Sequence, residues 1–329
     1  MSAGQPFVSV VLSFRNERDT IPALVARLAA MFTGQPVDYE ILFVNDASTD
    51  GSVDVLMHER ERNPRVKIIN MARRCGVAEC VLAGMAAASG DAVVYMDADL
   101  QDPPEIIPQL LERWRGGADV VHTVRTRRHG ESGLKIALTR LAYRAINYGS
   151  TIELPIDAGD FKLLSRAAVG RLLTLGESDP YLRGLAVWIA SNQAFVPYER
   201  AARHAGRTHF PFFSRNPWKT FAMGLTSFSS LPKLPIYACV ILSALGFAAA
   251  AVLLVAAPVL AAAGSTAVVP AVFGGAVLVF WSTIVGAVGA SGLFVIRIYK
   301  DVRRRPRYFV ESTVGLPAAQ SAEVEKVAP

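Results

Sequence analysis

Val93-Val94-Tyr95-Met96-Asp97-Ala98-Asp99-Leu100-Gln101-Asp102-Pro103-Pro104 is the stretch on which the fold turns. Its β-branched and aromatic start, after the turn Ser89-Gly90-Asp91, predicts a buried strand. The strand runs into two carboxylates at i and i+2. Asp102, the two prolines and Glu105 then predict a helix start, with Asp102 as N-cap and Glu105 as the capping-box acid. Asp97 and Asp99 would therefore stand at the carboxyl end of a strand, where open α/β sheets hold their ligands. With the amide of Gln101 they offer hard oxygen donors suited to a divalent cation that keeps positions open for phosphate oxygens. Solvated acids in a polar strand-to-helix turn give the same pattern, and the D-x-D alone does not separate the two.

Upstream, strand and helix patterns alternate. Phe7 to Phe14 is a near-continuous apolar run of the kind buried in a parallel sheet. After Arg15-Asn16-Glu17, the residues Ile21, Leu24, Val25 and Leu28 recur at helical spacing. Tyr39 to Val44 predicts the second strand, Val53 to Arg60 a helix, Val66 to Asn70 the third strand, and Val77 to Ala88 a small-residue helix able to pack closely on a sheet. Ile106 to Trp114 follows the Val93 strand as a helix, and Asp119 to Thr123 is a fifth strand. This alternation predicts a doubly wound, mostly parallel sheet.

Downstream the character changes. Arg125, Arg127, Arg128 and His129 read as a basic loop. Leu134 to Tyr148 places leucines on one helical face with Lys135, Arg140 and Arg144 between them, which fits a solvated surface helix or a basic helix lying on a membrane. Asp157 to Leu164 reads as a polar turn into a strand, Ser165 as the cap of the next helix, and Ala194 to Pro197 as a further short strand leading to Arg200, Arg203, Arg207 and His209.

Hydrophobic residues make up 52% of the chain against 19% charged, and the excess is concentrated: from Leu234 to Ile296, sixty-three residues, there is no Asp, Glu, Lys or Arg. That is room for two membrane spans of about 20–25 residues and a turn; Ile236–Leu260 and Val272–Ile296 are the predicted spans. Trp218, Phe221 and Phe228 with Arg215, Lys219 and Lys233 form an interfacial pattern before them. Arg297, Lys300, Arg303, Arg304, Arg305 and Arg307 follow them. Basic residues at both outer ends and none in the turn place both ends, and the N-terminal domain, in the cytoplasm. The expected division is a catalytic domain over 1–213, an interfacial segment over 214–234, two membrane helices over 235–298 and a basic cytosolic tail over 299–329, with Val310 to Pro329 disordered. The net charge of +6 suits an anionic partner, a membrane surface or a phosphate substrate. Nothing resembles a nucleic-acid module. Cys75, Cys80 and Cys239 form no disulfide or metal framework, which points to a reducing compartment.

Val8 to Glu17, Val44-Asn45-Asp46-Ala47-Ser48-Thr49-Asp50-Gly51 and Asp97 to Pro104 resemble the nucleotide-sugar motifs of the family 2 glycosyltransferases with the GT-A fold. Gly159-Asp160-Phe161-Lys162-Leu163-Leu164 and Arg200 to Phe210 resemble its polyprenyl-phosphate branch, which includes the bactoprenol glucosyltransferases and the dolichol-phosphate mannose synthases. The resemblance implies an inner-membrane enzyme moving a sugar, glucose from UDP-glucose being the branch's commonest choice, to polyprenyl (undecaprenyl) phosphate. It implies that Ser13, Phe14, Arg15, Glu17, Asp46 and Asp97 meet the nucleotide. Asp97, Asp99 and Gln101 are the implied ligands of Mg²⁺ or Mn²⁺, and Asp160 the carboxylate orienting sugar or attacking oxygen. Asn45 departs from a pattern that more often has two acids, and His209 stands where the family usually has lysine. For the acceptor phosphate the candidates are Arg125, Lys135, Arg140, Arg200 and Arg203, with Arg125 and Arg203 preferred, because the guanidinium fork matches phosphate geometry.

Three readings compete, one of them the same fold glycosylating protein or soluble acceptors, which the Arg-rich interfacial region argues against. A processive polysaccharide synthase would carry Q-x-x-R-W, but Gln109 to Trp114 has one residue too many for it. A non-catalytic membrane-anchored scaffold would not need Asp97, Asp99 and Gln101. Two-span proteins often associate, so a homo-oligomer is open.

Overall fold

A computed structural model of the protein describes residues 5–128, 158–200 and 268–326. Strands β1 (Phe7–Phe14), β2 (Asp38–Asn45), β3 (Val66–Met71) and β4 (Ala92–Asp97) form where the apolar runs predict them. Helices α1 (Ile21–Phe32), α2 (Ser52–Arg62), α3 (Val77–Ala87) and α4 (Ile107–Arg115) alternate with them, α4 being entered through a 3₁₀ turn at Pro104–Ile106. Then come β5 (Val120–Arg128), β6 (Ala158–Ser165), α5 (Arg166–Leu173), α6 (Leu182–Ile189) and β7 (Gln193–Arg200). The chain closes with α7 (Val268–Arg303), β8 (Val310–Val314) and α8 (Ala318–Lys326).

All eight strands lie in one sheet, ordered β7-β5-β6-β4-β1-β2-β3-β8. The centre, β4-β1-β2-β3, is parallel, and β5 pairs parallel with β7. The sheet is nevertheless mixed. Antiparallel β6 lies between β4 and β5, and β8 runs antiparallel on β3. The basic run after Thr123 is strand rather than loop, since β5 stays paired with β7 as far as Arg128.

Both faces are covered, as an all-apolar strand such as Val8–Leu12 requires. One core gathers Leu24 and Leu28 of α1, Leu56 of α2 and Leu110 of α4. The other gathers Cys80 to Ala87 of α3, Ala168 of α5, Leu185 of α6 and, from the end of the chain, Tyr308 and Val324. The small residues of α3 have a clear purpose at Gly84, where an added Cβ would stand 2.3 Å from a methyl of Val11.

Two expectations fail here. Asp102 caps no helix: its Oδ1 accepts from the hydroxyl of Tyr198 at 2.5 Å, while Glu105 takes a two-pronged bond from Arg27 at 2.8 and 2.6 Å. Competition from longer-range partners removes the capping box. Nor is the tail disordered over its described residues, 310–326. Val314, Thr313, Ser312 and Val310 pair with Ile68, Ile69, Asn70 and Met71. Tyr308 is fully buried, its hydroxyl donating to Val324 O at 3.2 Å. The low apolar content of 310–329 suffices because β3 offers an unpaired edge, and each backbone bond made there needs no side-chain hydrophobicity.

The chain divides into two compact units, one over 1–143, 152–214 and 304–329, the other over 144–151 and 215–303. Of the second, the described part is α7, whose 36 residues contain the second predicted span as helix. Over the described residues no helix is long and apolar enough to cross a membrane. The first predicted span, the interfacial segment 214–234 and the helix at Leu134 to Tyr148 lie outside the described residues.

Candidate active site

Three strand ends meet at one rim. Register sets Ser13 of β1 beside Val44 of β2 and Asp97 of β4, so the loops after these strands leave from one level. Each loop holds a non-glycine residue in the left-handed region: Asn16 at φ 56°, Ala47 at φ 52° and Leu100 at φ 59°. That conformation costs an ordinary L-residue about 1–2 kcal/mol, and strain of this kind collects where a binding site is shaped.

Hydrogen bonds lock the first two loops together. Arg15 donates to the carbonyls of Asp46 and Ala47 at 2.6 and 2.8 Å. Asn16 Oδ1 accepts from Thr49 N at 2.8 Å, and Ser48 Oγ accepts from Asn16 N at 3.0 Å. Asn45, where the resemblance leads one to expect an acid, uses both halves of its amide. It donates to Asn70 Oδ1 at 3.1 Å and accepts from Ser48 N at 2.9 Å, a pair of roles no carboxylate can fill.

Of the residues predicted to meet the nucleotide, Ser13, Arg15, Asp46 and Asp97 lie at this rim. Asp46 is buried, and its Oδ1 accepts the N–H of Cys75 at 2.7 Å and of Gly76 at 3.2 Å. One predicted side chain, that of Phe14, is turned to the core. The ring of Phe14 packs edge-on against Phe43 in the core, centroids 6.0 Å apart, so Phe14 presents only its carbonyl, which accepts Asp46 N–H at 2.9 Å. Glu17 is buried and accepts from Thr20 Oγ1 at 3.0 Å within its own turn.

In the loop after β4, Asp99 is buried and its Oδ1 accepts from Gln101 N at 3.1 Å. Asp97, Asp99 and the Gln101 side chain bring oxygen donors only, a set that fits a hard divalent cation and not a soft one.

The cationic side reaches the same loop. Arg125 Nε donates to Tyr198 Oη at 3.2 Å, and Tyr198 donates to Asp102, three residues beyond Asp99. The Arg125 guanidinium lies over Gly159, where a Cβ would stand 3.1 Å from it. Next in the chain, Asp160 receives both prongs of Arg183 from α6, at 2.7 and 2.5 Å. Burial works against the Asp160 carboxylate, but Arg183 outweighs it and holds the group at about 2. Lys162, fully buried, donates to Gly159 O. Burial pushes its ammonium down to about 7, with Arg183 and Arg125 adding to the effect against Asp160. Arg200 ends β7 opposite Arg128; its side chain, and Lys135, Arg140, Arg203 and His209 entirely, lie outside the described residues.

The sequence profile described as Glycosyl transferase family 2 matches residues 9–173, which span β1 through α5 and so contain the strand ends of this rim. The chain belongs to glycosyl transferase family 2. The glycosyltransferase YkcC of Bacillus subtilis (strain 168) is 36% identical over 313 residues, 94% of each chain. The bactoprenol glucosyl transferase of Shigella phage SfII is 30% identical over 310 residues, 93% of this chain and 98% of its own. Among solved structures, glucosyl-3-phosphoglycerate synthase from Mycobacterium tuberculosis, in complex with Mn²⁺, UDP and phosphoglyceric acid, aligns at a TM-score of 0.50 and 22% identity. That alignment covers 68% of this chain and 78% of that one, a likeness of fold. The protein is thus a GT-A-like family 2 glycosyltransferase related to the bactoprenol glucosyl transferases.

For this family 2 enzyme the Asp160–Arg183 pair makes a testable contribution. The folded-state pKa of Asp160 lies below the ordinary 3.8, so its stabilisation is complete above that value and is lost as pH falls toward about 2. The stability difference between the parent and Asp160→Asn, measured by urea unfolding, is therefore expected to narrow through that window. A difference independent of pH there would refute the pairing.

Arg183, Tyr198, Asp102 and Lys162 were not legible as site residues. Arg183 and Tyr198 lie in stretches without a motif, and only the packing of α6 and β7 brings them to Asp160 and Asp102. Lys162 stands within a motif, but its burial follows from β6 lying inside the sheet.

Proposed function

We propose that this glycosyltransferase moves a sugar, with glucose from UDP-glucose favoured, from a nucleotide-sugar to a polyprenyl phosphate such as undecaprenyl phosphate, at the cytoplasmic face of the inner membrane. The observation that carries the reading is the link Arg125–Tyr198–Asp102, which joins a guanidinium to the acid loop after β4. Similarity to proteins named bactoprenol glucosyl transferases over 93% of the chain supports the lipid acceptor.

Asp97, Asp99 and Gln101 would hold Mg²⁺ or Mn²⁺, which when bound supplies Lewis-acid stabilisation to the departing diphosphate. Ser13, Arg15 and Asp46 shape the nucleotide side. A phosphate monoester is largely dianionic at neutral pH, so it attacks without a strong general base. The protein's task is to gather that anion and strip its water. Arg125 does so, with Lys135, Arg140, Arg200 and Arg203 as further candidates and Arg183 added by its position. Asp160, already ionised and held by Arg183, orients instead of taking a proton. One displacement inverts the anomeric centre, so an α-linked donor gives a β-linked lipid product.

The membrane part rests on three observations. The chain leaves the sheet after Arg200 and is paired into it again at Val310, so any crossings in between must come in even number. Large apolar side chains are exposed along α7, among them Phe273, Trp281 and Val295. Arg297, Lys300 and Arg303 then follow at its end, the basic flank expected on the cytoplasmic side.

The test is incubation of membranes holding the full chain with undecaprenyl phosphate and a panel of radiolabelled nucleotide-sugars. Label should move into the organic-extractable fraction with one donor and depend on added divalent metal. No extractable label with any common donor overturns the proposal.

A further inference from the structure

The turn after β3 brings Cys75 to the entrance of α3, and Cys80 sits on the inward side of that helix. Their sulfurs are 3.7 Å apart. The third side is closed by Asp46, and the two sulfurs and a carboxylate oxygen all lie within 4.8 Å of one another. The carboxylate is aimed by its bonds from the N–H groups of Cys75 and Gly76, at 2.7 and 3.2 Å.

Two thiolates on a tetrahedral zinc, with bonds of about 2.3 Å, stand about 3.8 Å apart, and thiolate sulfur and carboxylate oxygen about 3.5 Å. The sulfur separation observed is the bite such an ion needs. A disulfide would instead require the sulfurs to close to about 2.05 Å. The charges around the site are mixed: Glu79 interacts with Asp46, Asp179 and Arg307, and Arg74 Nε stands 4.0 Å from Asp46 Oδ2, so a bound ion shares that carboxylate with a guanidinium. Cys75 is half-buried and gives a way in, while Cys80 is buried.

We propose that Cys75, Cys80 and Asp46 form a site for a divalent cation of the zinc class, separate from the oxygen-only donors Asp97, Asp99 and Gln101. Binding releases the two thiol protons to solvent, involves no redox change, and leaves a fourth position for water. Because Asp46 is shared with the nucleotide side, the cation competes with nucleotide; this consequence rests on the function proposed above.

The experiment titrates Co²⁺, as a spectroscopic stand-in for zinc, into the full-length protein in detergent with a phosphine reductant and excess Mg²⁺ to fill hard-oxygen sites. A thiolate-to-cobalt charge-transfer band is expected, bleached by zinc and lost in C75A and C80A. Removing a ligand should cost at least the roughly 10- to 100-fold in affinity that outer-sphere changes cost. Cys80 is buried and its variant can fail to fold, so C75A at the half-buried position carries the comparison. No charge-transfer band in the reduced parent overturns the site. Zinc should also weaken nucleotide binding in the parent and leave C75A unaffected. Zinc bound through the thiols with nucleotide affinity unchanged would uphold the site and overturn the assignment of Asp46 to the nucleotide.

Discussion

Replacing Asp99 by Asn is expected to lower sugar transfer by about a thousandfold, the scale on which a preorganised charge stabilises a developing oxyanion. Asn is isosteric, and its amide oxygen can still accept the Gln101 N–H that Asp99 Oδ1 accepts at 3.1 Å. The loop and its left-handed Leu100 should therefore persist, and the thermal midpoint should stay near that of the parent. What is lost is a negative charge at a buried position, and with it the hold on a hard cation. Steady-state rates with saturating donor, read beside a melting curve, separate the two effects. Near-parental turnover in Asp99→Asn would remove the loop after β4 from the chemistry and return the scaffold reading to the table.

Tyr308→Ala is expected to cost about 3–5 kcal/mol in unfolding free energy, the range for emptying a large aromatic site. The ring is fully buried among residues of the α3 face, and its hydroxyl holds Val324 O at 3.2 Å, tying the segment just before β8 to α8. Against a total of roughly 5–15 kcal/mol for a domain, a loss of that size is severe. Tyr308→Phe removes only the hydroxyl and should cost about 1 kcal/mol. Denaturant midpoints of the full chain in detergent give both numbers. If Tyr308→Ala unfolds where the parent does, the tail is no part of the fold.

The family's loops were legible because their chemistry is local. A strand that ends in Asp-x-Asp, and another that ends in Asn-Asp-Ala-Ser, carry side chains whose positions follow from the strand ends alone. Ser165 was legible as a cap for the same reason, and it does accept Ala168 N–H at 3.1 Å. Asp102 and Glu105 show the limit. Their spacing matches a capping box, yet Tyr198, 96 positions later, and Arg27, 78 positions earlier, take the carboxylates instead. Phe14 shows a second limit, since the last residue of a strand can point to the core as readily as to the rim.

Alternating apolar runs determined by themselves that this chain forms a sheet flanked by helices, because periodicity and burial are properties of each segment taken alone. They also determined that acids stand where the central parallel strands end. Tertiary structure alone decided that β6 lies antiparallel between β4 and β5, and that Val310–Val314 complete the sheet on β3. It alone set Arg183 against Asp160 and Cys75 against Cys80 and Asp46. Those choices depend on which backbone edges remain unpaired and which charges meet in three dimensions, and no single segment carries that information.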